Sequence, residues 1–176
     1  MIFVTVGTHE QQFNRLVAFM DQMKKKGLLQ EEVVIQTGFS TYEPENCTWK
    51  KLLPYQEMLR NVELARIVIT HGGPSSFIMP LQIGKIPIVV PRQKQFGEHV
   101  NDHQVEFCRA VSQRQGNIIL AEDMDALENA IVHYDRIAEN MNVGQESSNM
   151  AFNKAFGEMV ERRFGKKRTE KEEPVK

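Results

Sequence analysis

The sequence predicts a single α/β domain with a mainly parallel sheet and flanking helices. Three observations carry that expectation. Short apolar runs alternate with stretches of helical period, as they do where strands are joined by crossover helices. The first run, Ile2-Phe3-Val4-Thr5-Val6, is almost continuously apolar, as a strand covered on both faces must be. The length of 176 residues, 41% of them hydrophobic and 26% charged, suits one globular core.

Taken in order, residues 2–6 give the first strand. Phe13, Leu16, Val17 and Met20 then recur at helical spacing, so a helix runs to about residue 25. Val33-Val34-Ile35, ended by Gly38, is the second strand. Residues 39–53 hold Pro, Asn, Thr and the single Trp and are expected to form a long surface loop. A short helix over 55–61 leads to a third strand, Ile67-Val68-Ile69-Thr70. After it, His71-Gly72-Gly73-Pro74-Ser75-Ser76 turns into a helix carrying Phe77, Ile78, Leu81 and Ile83. Ile88-Val89-Val90, between Pro87 and Pro91, is the fourth strand, and residues 117–120 are the fifth.

A helix over about 98–111 joins those last two strands. Val100, His103, Gln104, Phe107, Cys108 and Val111 would share one face of it, turning His103 and Gln104 toward the protein body. An amphipathic helix from Asp123 to Ile131 and a last helical stretch over about 147–164 complete the chain. With no internal repeat, the domain covers residues 1–160 and a charged tail covers 161–176. Arg162, Arg163, Lys166, Lys167 and Arg168 in that tail fit a solvated end, or a contact with an anionic membrane or a partner.

Composition excludes several function classes. A formal net charge of −1 gives no general attraction to nucleic acid, so none is expected as a partner. Cys47 and Cys108 are few and far apart, which suits free thiols in a reducing cytoplasm. No basic leader precedes the first strand, and no apolar stretch approaches the ~20 residues that span a bilayer.

In open α/β sheets ligands bind beyond the carboxyl ends of the strands. Two loops there have unusual composition: Gly7-Thr8-His9-Glu10 after the first strand, and His71 to Ser76 after the third. In the second, two glycines admit close approach, Pro74 suits the first turn of a helix, and Ser75 and Ser76 can donate or cap. A helix N-terminus carries unpaired N–H groups and partial positive charge, so it can hold a diphosphate without a metal. A plain strand-to-helix turn would use the same residues.

The residues beyond that loop narrow the choice. His71-Gly72-Gly73, Gly84-Lys85-Ile86-Pro87, Pro91 and Asn101-Asp102-His103-Gln104 form an ordered set across one strand–helix–strand unit. It resembles the donor-binding signature of GT-B glycosyltransferases, whose two domains are both Rossmann-like. It is most similar to the family 28 C-terminal domain, and within that to the stand-alone catalytic subunits of split enzymes of bacterial capsule and exopolysaccharide synthesis and of dolichol-linked oligosaccharide synthesis. The opening through Leu16, and Ile88-Val89-Val90-Pro91-Arg92 with Gly97-Glu98-His99-Val100-Asn101 after it, resemble the bacterial members. The likeness spans roughly residues 1–135.

The resemblance implies a Rossmann-like domain equivalent to the C-terminal half of such an enzyme. It implies that Gly72, Gly73, Pro74, Ser75 and Ser76, with His71, meet the donor diphosphate, that Gly7 and Thr8 face it, and that His103 and Gln104 contact the donor sugar. Met79 stands where many relatives carry a ribose-binding glutamate. The expected reaction is an inverting transfer from a UDP-sugar, without a metal cofactor, to a lipid-diphosphate-linked saccharide, with β-1,4 as the expected linkage. A membrane-anchored partner subunit would bring the acceptor and recruit this cytoplasmic chain to the inner face of the membrane. That partner would also supply the general base, unless His9 or Glu10 does. Homo-oligomerisation stays open. So do the choice among galactose, glucuronic acid and N-acetylglucosamine, and a non-catalytic nucleotide-sugar-binding or regulatory role.

Three other patterns are weaker. Asp123-Met124-Asp125 matches an Asp-x-Asp metal motif, but its place before an amphipathic helix favours capping. His99 and His103, beside Glu98 and Asp102, have metal-ligand spacing, yet only His71 offers itself as a further ligand. One glycine after the first strand does not make the G-x-G-x-x-G turn of dinucleotide enzymes.

Overall fold

The computed structural model describes residues 1–142. The apolar runs form strands β1 (Ile2–Thr5), β2 (Val33–Gln36), β4 (Ile67–His71), β5 (Ile88–Val90) and β6 (Ile119–Leu120), with a short β3 (Thr48–Lys50) at one edge. All pair in parallel, in the order β3-β2-β1-β4-β5-β6. Helices α1 (Asn14–Lys25), α2 (Tyr55–Leu64), α3 (Pro74–Gln82), α4 (His103–Gln115), α5 (Met124–Val132) and α6 (Tyr134–Asn142) cover both faces. This is the Rossmann-like α/β architecture that the sequence predicts.

Alternation along β1 sorts the layers. Ile2 and Val4 pack with Leu16 and Met20 of α1 and Leu127 and Ile131 of α5. Phe3, one residue out of phase, packs with Val62 and Met58 of α2. Phe77 and Leu81 of α3 meet Val89 and Cys108 in a third cluster. Each fully buried aliphatic or aromatic side chain contributes about 1.5–3 kcal/mol, so the inner strands are held from both sides.

Several expected elements shift. Residues 39–53 are not all loop: Thr48–Lys50 forms β3, where Trp49 pairs with Ile35 of β2. Both residues flanking Trp49 are exposed, so this edge strand carries little apolar signal. The helix at 55–61 continues to Leu64, and α6 comes almost at once after α5. The expected helix over 147–164, the domain limit near 160 and the basic tail lie outside the described residues.

The largest shift concerns the helix expected to begin at 98. A 3-10 turn (Lys94–Phe96) comes first, and α4 starts only at His103. The intervening side chains bond to local backbone, which competes with helix formation. Glu98 Oε2 accepts Gln93 N–H at 3.0 Å, Asp102 Oδ1 accepts Lys94 N–H at 2.9 Å, and Asn101 Oδ1 accepts His103 N–H at 3.2 Å. The inward stripe rotates accordingly. Val105 and Cys108 are buried, whereas Val100 is 66% exposed and His103 points to solvent beside Glu106.

Asp123 caps α5, its Oδ1 accepting Ala126 N–H at 2.7 Å. The Asp-x-Asp pattern is therefore a helix start, as its context predicts.

Candidate functional site

Strand order reverses direction between β1 and β4, which makes their carboxyl ends the topological switch point where such sheets bind ligands. A cavity of about 410 Å³ lies there. One end is lined by Gly7, Thr8, His9, His71, Ser75 and Ser76, the two loops singled out in the sequence. The other end is walled by Met58 and Val62 of α2 and Met79 of α3, with Thr5 and Gln36 beneath.

His71 organises the polar end. Its Nδ1 accepts the Gly73 N–H at 3.0 Å, and its Nε2 lies 2.6 Å from Ser76 Oγ. Burial, then the positive charge of Arg92 and the neighbouring His9 and His99, push its pKa down to about 4. The ring is therefore neutral at pH 7. Because Nδ1 accepts, the hydrogen-bond pattern assigns the proton to Nε2, which donates to Ser76 Oγ. That leaves the Ser76 hydroxyl hydrogen free to point at a ligand.

The glycines serve this ring. A Cβ on Gly73 would lie 2.3 Å from His71 Cε1, and one on Gly7 would lie 2.4 Å from His71 Nε2. Gly7 also holds a left-handed φ of +76°, which a side chain disfavours. At Gly72 a Cβ would come within 2.9 Å of Cys108 Sγ and 3.0 Å of Gln104 Oε1. Close approach is thus needed for side chains of the protein itself.

The backbone donors differ from a simple helix-terminus cradle. Gly72 N–H bonds Gln104 Oε1 at 3.1 Å, Gly73 N–H bonds His71, Ser76 N–H bonds the Gly73 carbonyl, and Pro74 has none. Among the described residues only Ser75 keeps an unengaged backbone N–H in this turn, and Thr8 keeps another across the cavity. Neither serine caps α3 through its side chain; Gly73 holds that position. Hydroxyls therefore carry much of the donor capacity.

Gln104 does not line the cavity. Its Oε1 accepts both Gly72 N–H and Arg92 N–H at 3.1 Å, bracing the loop after β4 against the end of β5. His103 does not line this cavity either; at the start of α4 its side chain is 78% exposed. His9 is at the site, with its ring centroid 5.1 Å from that of His99 and its Nδ1 accepting Gln11 N–H. Burial, then Arg92 and His99, lower its pKa. In this arrangement neutral His9 presents an N–H donor, whereas the neighbouring Glu10 is an exposed carboxylate.

Sequence reasoning passed over Arg92. It is fully buried, and its guanidinium donates to the carbonyls of Val6, Gln11, Gln12 and Glu98 at 2.8–3.2 Å. Burial brings its pKa to about 10, opposed by Glu98, so it stays charged at neutral pH. One cation thus shapes the Gly7–Gln12 loop and gives the site positive potential from below. A lone arginine after Pro91 carries no periodic signal that reveals such a role. Among the described residues, no group of three or more His, Cys, Asp or Glu side chains is placed to hold a metal ion.

Known proteins share this sequence pattern and this architecture. Residues 1–162 match the glycosyltransferase family 28 C-terminal domain. The chain is 30% identical over 117 residues to a human (Homo sapiens) protein, UDP-N-acetylglucosamine transferase subunit ALG13, covering 61% of this chain but 10% of that protein's length. The fold is similar to the crystal structure of the glycotransferase of kitacinnamycin (TM-score 0.55, 18% identity, 92% of this chain and 42% of that one). It is also similar to the glycosyltransferase SnogD from Streptomyces nogalater (TM-score 0.50, 16% identity, 90% of this chain and 43% of that one).

Proposed function

Because this chain belongs to the glycosyltransferase family 28 C-terminal domain family, we propose that it is the donor-binding, catalytic subunit of an inverting glycosyltransferase that uses a UDP-sugar. The observation that carries the reading is the neutral His71–Ser76 pair at the switch-point cavity, with the N–H groups of Ser75 and Thr8 beside it. Together they offer hydrogen-bond donors to an anion with a helix N-terminus behind them.

In this reading the acceptor hydroxyl oxygen forms a bond to the anomeric carbon as the bond from that carbon to the phosphate oxygen breaks. The bonding pair leaves with the nucleoside diphosphate. Ser76, Ser75 and Thr8 stabilise the charge growing there, and the buried Arg92 adds positive potential; donors already in place need no reorganisation. A general base takes the acceptor proton. His9 is poorly disposed for that task, so the base is Glu10 or a residue of a partner subunit. The chemistry needs no metal.

The acceptor is a lipid-diphosphate-linked saccharide of bacterial polysaccharide synthesis, and the new linkage is β-1,4. A membrane-anchored partner carries the acceptor and holds this chain at the cytoplasmic face. No helix among the described residues is long and apolar enough to cross a membrane.

Co-expression with a candidate membrane partner, and then transfer of labelled sugar from UDP-sugars to lipid-linked acceptor, tests the reading. Transfer should require both chains and fall about tenfold or more in Ser76→Ala, since a hydrogen bond to a charged group contributes about 1.5–3 kcal/mol. Undiminished transfer by Ser76→Ala would remove the diphosphate from this site.

A further inference from the structure

Two loops at the carboxyl edge of the sheet meet through a pair of histidines. His9, in the loop after β1, lines the cavity, and His99 lies in the loop between β5 and α4. Their ring centroids are 5.1 Å apart, with the rings tilted by 35°. Each ring also closes its own loop in the same way. His9 Nδ1 accepts the Gln11 N–H at 3.2 Å, and His99 Nδ1 accepts the Asn101 N–H at 3.4 Å.

Those two bonds exist only while each Nδ1 is unprotonated. An imidazolium carries hydrogen on both nitrogens and accepts nothing. A proton added to either ring therefore confronts a backbone N–H that it must displace. It also sets positive charge against the partner ring and close to the fully buried guanidinium of Arg92. The surroundings do little to offset that charge. Glu10 favours it but is exposed to solvent. Glu98 turns its carboxylate to Arg15 of α1 and to the Gln93 N–H, and Asp102 Oδ1 accepts the Lys94 N–H. From the end of β4, His71 adds a third imidazole and no negative charge.

Other links between the loops are indifferent to pH in this range. Arg92 donates to the carbonyls of Gln11, Gln12 and Glu98, and it stays charged. Gln12 Nε2 donates to the Phe96 carbonyl at 3.0 Å, and an amide does not titrate. The histidine pair is the titrating link, and it stands beside the cavity.

We infer that His9 and His99 form an acid-released latch: as neutral rings they hold the loop after β1 against the loop after β5, and proton uptake by the pair frees them. The latch does not depend on what the cavity holds. Because the latched form binds fewer protons than the released one, it is favoured at neutral pH and lost as the pH falls. Burial, then Arg92 and His99, lower the pKa of His9, so release falls below the ordinary 6.5.

Histidine ring resonances and hydrogen exchange of residues 7–12 and 94–102, corrected for intrinsic rate, test this on the full-length chain from pH 7.5 to pH 4. Wild type should lose protection in both segments together, by about tenfold between pH 7.5 and pH 5, while β1 is unaffected. In the double variant His9→Asn with His99→Asn, each Oδ1 can accept the same loop N–H without taking a proton. That variant should lose no protection over this interval. His99→Asn alone should raise the titration midpoint of His9, because a competing charge is gone. Loss of protection that is absent from wild type, or that persists in the double variant, overturns the latch. So does a His9 midpoint indifferent to His99→Asn. Loss that begins only near pH 4 belongs to His71 and overturns it as well. If the double variant does not fold, wild-type exchange and the His9 midpoint decide.

Discussion

His71 is the residue on which the polar end of the site depends, and its proton is the quantity to follow. Buried beside Arg92, it has a pKa of about 4 in place of the ordinary 6.5. Because the folded value lies below the unfolded one, the unfolded chain takes up a proton first as the pH falls. The stability present above pH 6.5 is lost progressively between 6.5 and about 4, by about 3 kcal/mol. Urea unfolding of wild type and His71→Asn at pH 7 and pH 4.5 should show a smaller pH-dependent loss in the variant. Equal losses would mean that His71 is not held neutral by the fold. At this scale the sequence is partly legible. His71, Ser75 and Ser76 stand out because loop composition after a strand bears directly on local geometry. The outward orientation of His103 and the task of Arg92 are not legible in the sequence, because they depend on where a helix begins and on contacts more than 80 residues apart in the chain, such as Arg92 with Gln11 and Val6.

At the scale of elements, the cavity is a gap between the strand ends and two helices, and those helices are fixed by their termini. Lys85 donates to the carbonyls of Val62, Glu63 and Ala65, satisfying the C-terminal end of α2 and complementing its dipole. It comes from the Gly84-Lys85-Ile86-Pro87 segment, so a stretch conspicuous in the sequence has a structural task behind the apolar wall. Lys85→Met should lower the unfolding free energy by about 2 kcal/mol, as expected for charge-assisted hydrogen bonds; no change in urea midpoint would contradict that capping role. Strong periodic elements such as α1 and the inner strands are readable because burial on a whole face writes the pattern. β3 and the start of α4 are not. The first is an exposed edge held by backbone pairing, and the second is displaced by side chains of Glu98, Asn101 and Asp102 that bond to backbone.

For the whole molecule, the carboxyl edge of the sheet is held by a buried polar network where the strands run out. Arg15 of α1 pairs with the fully buried Glu98 at 2.9 Å and also reaches the carbonyls of Pro91 and Glu122. Removing one partner of such a pair strands a charge, so Arg15→Ala should cost about 3–5 kcal/mol, with part recovered when Glu98→Met is added. Equal stability of the single and double variants would show that Glu98 finds another partner. This network shapes the loops that form the site, which is how a fold legible from apolar patterning acquires a site that is only half legible. The chain spans about a tenth of its human relative, and about two-fifths of each solved neighbour. The central claim, that this domain carries the donor diphosphate site, is tested most directly by isothermal titration of the purified chain with UDP in EDTA and again in magnesium. Binding of equal strength in both, weakened about tenfold in Ser76→Ala, is the result this account predicts. Binding that vanishes in EDTA, or that ignores Ser76, would contradict it.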